Sequence, residues 1–481
     1  MELEKKKYWL LLYGLIIGII FDIFFYDKAL GISYPIFALL ILVVTALVFY
    51  KSYSSLENKA WIWALPALML SSTFAIYSNQ VLSILNFLIV PYLLVMTISL
   101  VSTTNRADWF DIRFLADFFR RLFIPLRYIH MPFLTLFRME DKSGKNKKRI
   151  FPRVAIGVLI SIPLLAIIIW LLSSADIVFK ELFVNIPISK IVQHFFIIIV
   201  ATVYAICFFW ALLKEFDEKE KTPKYEKINY KRFLDPVILM TILSLLNVVF
   251  CVFSVIQFKY LFGGESYIQP SSFTYAEYAR RGFFELVVVA VINFFIMLIA
   301  VLFLKKEGKK SGIAIKILLS LLVGFTFVML SSAFYRMLLY EEAYGFTYLR
   351  IFVQTFMILL FFLFIISIVF IWYEKLPIIK AYFIATLAVY VILNFANVDA
   401  MIARNNIYRY KETGQLDIRY LEGLSYDAIP EMEKLVGDKK VGGEVLVFFK
   451  QKKLELQKQD AWQSFNYSRA KASTVIDGYV K

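Results

Sequence analysis

Three short clusters combine acids, bases and tyrosines at spacings that permit chemistry. The first is Thr274-Tyr-Ala-Glu-Tyr-Ala-Arg-Arg-Gly-Phe-Phe-Glu-Leu286, which holds Tyr275, Glu277, Arg280, Arg281 and Glu285. Glu277, Arg281 and Glu285 follow one another at intervals of four, so a helix would stack them as an acid–base–acid ladder. Glu285 has Phe283-Phe284 before it and Leu286-Val-Val-Val289 after it. A carboxylate in such apolar surroundings is expected to face neighbouring helices and to be paired or protonated, with Arg281 as its partner. That ladder is either a proton or ligand site or an ion pair that fixes helix register. The second cluster is Arg336, Glu341, Glu342, Tyr344 and Arg350, with Gly345 in the connection between two apolar spans. The third, directly after the last span, is Asp399, Arg404, Asn405, Asn406 and Arg409. The three fall on one predicted side of the chain, where they either converge on a polar mouth or pair locally as helix-end charges.

Other polar residues stand singly inside apolar sequence. Asp22 and His194 are titratable, and Asn86, Asn247, Asn293, Gln354 and Asn394 are amides of the kind that bind helices together. Cys207 and Cys251 read as small buried apolar residues, too few for a thiolate metal site or a disulfide framework. His130 and His194 are the only histidines. No phosphate-binding loop, G-x-S-x-G elbow, H-E-x-x-H pair or kinase signature occurs, so no catalytic residue, metal or cofactor is expected.

The elements that must position these groups are membrane spans. Of 481 residues, 60% are apolar and 19% charged, displaced in opposite directions from the averages of soluble domains. Eleven runs are long and apolar enough to cross a bilayer, at 8–26, 33–50, 60–77, 81–101, 154–173, 191–213, 236–258, 282–304, 313–333, 348–373 and 379–395. The expected fold is all-α, a polytopic helical bundle followed by a small C-terminal helical domain. Its parts are residues 1–101 with four spans, a basic amphipathic loop at 102–153, core spans over 154–395 and a polar helical domain at 396–481. The formal net charge of +16 comes from lysines and arginines gathered in alternate loops, which is the positive-inside pattern and not a nucleic-acid footprint. It predicts a cytoplasmic N-terminus and, with an odd number of spans, an extracytoplasmic C-terminus.

Within 102–153, Phe110, Phe114, Phe118 and Leu122 recur every four residues, widened by Leu115 and Phe119, with Arg113, Asp117, Arg120 and Arg121 on the other side. This predicts an amphipathic helix lying in the inner membrane interface and ended by Pro125. The following run, Lys142 to Arg149, is suited to anionic lipid headgroups. Past residue 396 charges become frequent, and Leu421, Leu424, Ala428, Met432 and Leu435 keep helical spacing, as in a packed helical unit.

The run Tyr275 to Leu286 resembles the signature of the bacterial membrane family known as domain of unknown function 4153/4173. Further runs similar to that family are Ser174-Ala-Asp-Ile-Val-Phe179, Tyr344-Gly-Phe-Thr-Tyr-Leu-Arg350, Asn397-Val-Asp-Ala-Met-Ile-Ala-Arg-Asn-Asn406 and Leu424-Ser-Tyr-Asp-Ala-Ile-Pro430, spread over roughly residues 150–470. The resemblance implies a multi-pass protein of the bacterial plasma membrane and brings no activity, substrate or cofactor with it. Three readings stand: a binding, sensing or assembly protein with an outer polar cluster, a secondary transporter, or a membrane enzyme acting on an envelope or lipid substrate. Transport calls for internal repeats and broken helices, of which the chain offers only the echo Leu70-Ser-Ser-Thr73, Leu172-Ser-Ser-Ala175 and Leu330-Ser-Ser-Ala333.

Overall fold

The computed structural model describes residues 2–49, 59–102, 109–111, 113–138, 188–217, 232–262, 282–305, 309–375, 377–457 and 461–480, with isolated residues between 157 and 179. The described residues form helices and no strand beyond one parallel bridge between Leu234 and Leu304. Nine of the helices are long and apolar enough to span a membrane, and the chain is a multi-pass, all-α membrane protein. These nine correspond to nine of the eleven runs read from the sequence. The run at 33–50 is met by a 17-residue apolar helix, Ser33–Phe49. Most of 154–173 lies outside the described residues.

The chain divides into two compact units. The first takes residues 1–76, 83–225 and 459–467. It holds α1 (Glu2–Phe25), α2 (Ser33–Phe49), α3 (Ala64–Ile76), most of α4 (Gln80–Ser102), α5 (Arg113–Phe123), α6 (Met131–Arg138) and α7 (Ile188–Asp217). Helix α1 lies close along α7 because Gly14 and Gly18 are four residues apart. A Cβ at Gly14 would meet the Ile206 side chain, and one at Gly18 would meet Thr202 and the Ile198 carbonyl. Small residues at that spacing let two backbones approach within a membrane. Leu10, Ile17, Val44, Phe49, Phe209 and Leu213 fill the core around this contact.

Helix α5 does not keep its apolar residues on one face and its charges on the other. Phe114, Asp117 and Arg121 are buried, whereas Leu115, Phe119 and Phe123 point outward. The reason is an ion cluster. Arg121 bonds Asp117 at 3.3 Å and Glu215 of α7 at 2.9 Å, and Arg120 bonds both acids at 2.8 Å. The helix ends at Phe123, and Pro125 opens the 3₁₀ turn Ile124–Tyr128.

The second unit takes residues 77–82, 226–458 and 468–481. Its membrane helices are α8 (Pro236–Phe262), α9 (Phe283–Phe303), α10 (Lys309–Tyr344), α11 (Tyr348–Trp372) and α12 (Ile378–Phe395). Amides hold them together, as their positions in the sequence implied. Asn293 Nδ2 donates to Thr326 Oγ1 at 2.9 Å and Asn247 Nδ2 to the Leu318 carbonyl at 2.9 Å. Five helices follow: α13 (Val398–Thr413), α14 (Ile418–Glu422), α15 (Ile429–Met432), α16 (Gly442–Leu456) and α17 (Tyr467–Tyr479), whose first residue is counted with the first unit. Ile402, Ile407, Leu421, Leu424, Met432, Phe449 and Ile476 form their common core, which also takes in Ile351 of α11 and Leu82. These last helices therefore pack on one end of this unit's bundle.

The two cysteines differ. Cys207 is buried, but Cys251 lies on an exposed side of α8, against the expectation that both are buried. An apolar helix in a bundle needs burial on only one side, since lipid accepts the other.

Candidate functional site

The site is built where α10 ends. Nothing in Ala333 to Tyr344 stops a helix, so α10 runs eleven residues beyond the predicted span end and carries Arg336, Glu341 and Tyr344 with it. The second cluster is thus helical and not a loop. Gly345, with φ +83°, closes the helix, its N–H donating to the Glu341 carbonyl at 2.7 Å. Phe346 and Thr347 complete a tight connection into α11.

Helix α13 clamps this connection. Phe346 N–H donates to Asn406 Oδ1 at 2.8 Å, and Asn406 Nδ2 returns a bond to the Phe346 carbonyl at 2.9 Å. A Cβ on Gly345 would collide with that same Asn406 oxygen. Arg409 donates to the Glu342 carbonyl at 2.7 Å and the Ala343 carbonyl at 2.5 Å. Arg350 donates to the Gly345 carbonyl and stacks 4.1 Å from the centre of the Tyr340 ring. Two guanidinium groups thus serve the carbonyls that a helix C-terminus leaves without partners. Tyr344 stays exposed.

Two carboxylates stand beside this clamp. Asp399 is held in the first turn of α13, behind Asn397, which takes the left-handed conformation and caps the helix by accepting from Ala400 N–H at 3.2 Å. Only 1% of Asp399 is exposed. It accepts from Asn79 Nδ2 at 2.6 Å, Ser425 N–H at 3.1 Å and the Tyr348 hydroxyl. Asp427, also buried, accepts from Ser78 N–H at 2.7 Å and from the hydroxyls of Ser78 and Ser425 at 3.0 Å. Ser425 therefore joins the two acids, and every one of these donors is uncharged. Burial, helped by the charge of Asp399, raises the Asp427 carboxyl above the usual range against the pull of its hydrogen bonds. Tyr420 accepts from Tyr348 N–H at 2.9 Å, and burial raises its hydroxyl as well.

Arg404 takes a different role. Its Nε and Nη2 donate to Glu431 Oε1 at 3.0 and 2.8 Å, and Lys434 bonds the other oxygen. Burial pushes Glu431 up, but the bonds and charges of Lys434 and Arg404 together carry it below the ordinary value. Arg336 donates to Gln257 Oε1 at 3.2 Å, beside Ser332 at 2.6 Å. Its Nη1 would lie 2.5 Å from a Cβ at Gly282. Gly282 has φ +87° and starts α9, a left-handed backbone that favours glycine.

Glu285 is not where its flanking residues suggested. Helix α9 begins at Phe283, which puts Glu285 in the first turn, on an exposed side, with no ion pair to another described residue. A carboxylate there meets the positive end of the helix dipole and needs no buried partner. Tyr275, Glu277, Arg280 and Arg281 lie outside the described residues, and the ladder with them. Of the three clusters, the structure brings together Glu341, Arg350 and Asp399 around the α10–α11 connection, with Arg404 farther along α13.

Sequence reasoning missed Ser78, Asn79, Tyr348, Tyr420 and Ser425 as partners, and did not single out Asp427. The signal for Asp427 was its place in Leu424-Ser-Tyr-Asp-Ala-Ile-Pro430. It also treated Asp22 and His194 separately, whereas in the first unit His194 Nδ1 lies 2.8 Å from Asp22 Oδ2, with the Tyr26 ring centre 4.0 Å from the imidazole. Among the described residues no group of three or more His, Cys, Asp or Glu side chains is placed to hold a metal ion. The two acids and their donors tie together four chain segments: 78–79, the start of α11, α13 and the 425–427 turn.

No curated protein and no solved structure matches the chain. A family model does, over residues 64–435. It begins earlier than the run of resemblances near residue 150, so α3 and α4 are part of the shared pattern, and it includes Glu341, Arg350, Asp399, Arg404 and Asp427. With most of its length matched, the chain belongs to the family described as Domain of unknown function (DUF4153).

Proposed function

We propose that this is a sensing and binding protein of the bacterial plasma membrane, in which the polar joint between α10, α11 and the C-terminal helices is the responsive element. The observation that carries the reading is the shared Ser425. It ties Asp399 to Asp427, and between them these acids hold the 78–79 segment, the start of α11, α13 and the 425–427 turn through uncharged donors alone. Burial and the neighbouring charge of Asp399 disfavour the ionised form of Asp427, so protonation of Asp427 or a bound cationic group alters the bonds that seat the C-terminal helices. An enzyme reading would need an acid and a base free to reach a substrate, and Arg350, Arg409, Asp399 and Asp427 are all engaged with one another's segments.

The test uses spin labels on cysteines replacing Leu338 of α10 and Val447 of α16, both exposed, after Cys207 and Cys251 are changed to serine. The distance between them should shift as pH is lowered, and Asp427→Asn should reproduce the low-pH distribution at neutral pH. A distance indifferent to pH and to both Asp399→Asn and Asp427→Asn would end the sensing reading.

The orientation belongs to the same proposal: N-terminus cytoplasmic and C-terminal helices outside. Cysteines at Lys147 and Gly263 should then label from opposite sides of intact cells, and labelling of both from one side would overturn it. The basic segment 102–153 is assigned to anionic headgroups of the cytoplasmic leaflet, a reading that the outward Leu115, Phe119 and Phe123 of α5 support.

A further inference from the structure

We infer that Glu341 is a proton-binding site, a carboxyl group that carries a proton at neutral pH near the end of a membrane-spanning helix. The inference concerns a residue outside the Asp399–Asp427 pair and does not rest on the function proposed for that pair.

Glu341 is 0% exposed and lies three residues before the end of α10. An ionised carboxylate presents about four acceptor sites. This one has a single side-chain partner, Gln354 of α11, at 2.6 Å from Oε2, while Oε1 is buried without any. The charged and titratable groups around it give it no hydrogen bond. Arg350, from α11, acts on Glu341 through its charge, but its guanidinium is turned to the Gly345 carbonyl and the Tyr340 ring. Tyr340, on its own helix, carries that guanidinium on its face, and Arg409 of α13 is spent on the Glu342 and Ala343 carbonyls. A buried carboxylate left so under-bonded is more costly than the neutral acid.

Gln354 can serve the neutral acid as well as the carboxylate. An amide side chain can be turned over without changing its shape. With the Gln354 carbonyl facing Glu341, the acid's Oε2–H donates to it. Oε1 then becomes the carbonyl oxygen of a neutral acid, a far weaker acceptor to leave alone than half of a carboxylate.

The test is infrared spectroscopy of the full-length protein in lipid nanodiscs. At neutral pH the native protein should show a protonated-carboxyl C=O band that moves down in D2O. Glu341→Gln should remove it, and Asp427→Asn should leave it in place. Gln354→Leu should keep the band but move it to higher frequency, because the acid loses its acceptor. Raising the pH should abolish the band in the native protein with the loss of one proton to solvent. A band absent at neutral pH, or unchanged in Glu341→Gln, overturns the inference. If Glu341→Gln does not accumulate, Gln354→Leu decides alone, and a band that it leaves unmoved is the refuting result.

Discussion

Asp427 offers a direct measure of what the polar joint contributes. Replacing it with alanine removes the acceptor of one main-chain donor, the Ser78 N–H, and of the Ser78, Ser425 and Ser468 hydroxyls. The hydroxyls can rotate, and Ser78 Oγ already lies 3.4 Å from Ser468 Oγ. The main-chain N–H of Ser78 cannot follow. Leaving one fixed donor unpaired costs about 1–3 kcal/mol, so Asp427→Ala should lose roughly 2 kcal/mol. Asparagine keeps an acceptor oxygen in place and removes the charge. Because Asp427 is raised in the folded protein by burial and by Asp399, its contribution is complete below the ordinary carboxylate range. It is lost as pH rises through the raised value. Across that window the native protein should lose stability relative to Asp427→Asn, which should be no less stable than native at neutral pH. Thermal midpoints in detergent over a pH series measure this, and the native-minus-variant difference cancels the carboxylates that do not interact with Asp427. If Asp427→Asn falls as far as Asp427→Ala, or if the difference shows no pH slope, the account of this carboxylate is wrong.

Arg121→Ala removes a fully buried guanidinium, leaves Asp117 and the partly exposed Glu215 to Arg120 alone, and should cost about 3 kcal/mol, seen as lost membrane yield. Arg120→Ala, at a side chain 45% exposed, should stay within about 1 kcal/mol. Gly345→Ala meets both a positive φ and the Asn406 oxygen and should destabilise by about 1–3 kcal/mol, read as a lower thermal midpoint. Arg404→Ala should change stability by less than about 1 kcal/mol despite its bidentate contact, since the side chain is 65% exposed. A larger loss would mean that Glu431 depends on this one partner.

Hydropathy alone located nine of the spans, because a bilayer imposes its thickness on each segment separately. It also marked the neighbourhoods where helices end and charges gather. Spacing within one helix was a poorer guide. Glu277, Arg281 and Glu285 suggested a buried ladder, yet Glu285 stands exposed in a first turn, because the helix start at Gly282 is set by a left-handed backbone and by Arg336 packed against it. The amphipathic stripe of α5 put Asp117 and Arg121 on the polar side, and their burial was not legible there, since their partner Glu215 is 94 residues from Arg121. The joint itself was the least legible part. Ser78 and Asp427 are 349 positions apart, and Asp22 and His194 are 172 apart. Each is an ordinary polar residue in its local sequence. Membrane insertion is decided segment by segment, from one residue's transfer energy at a time. Which buried carboxylate meets which donor is a property of pairs, and the pairs exist only once the helices have packed.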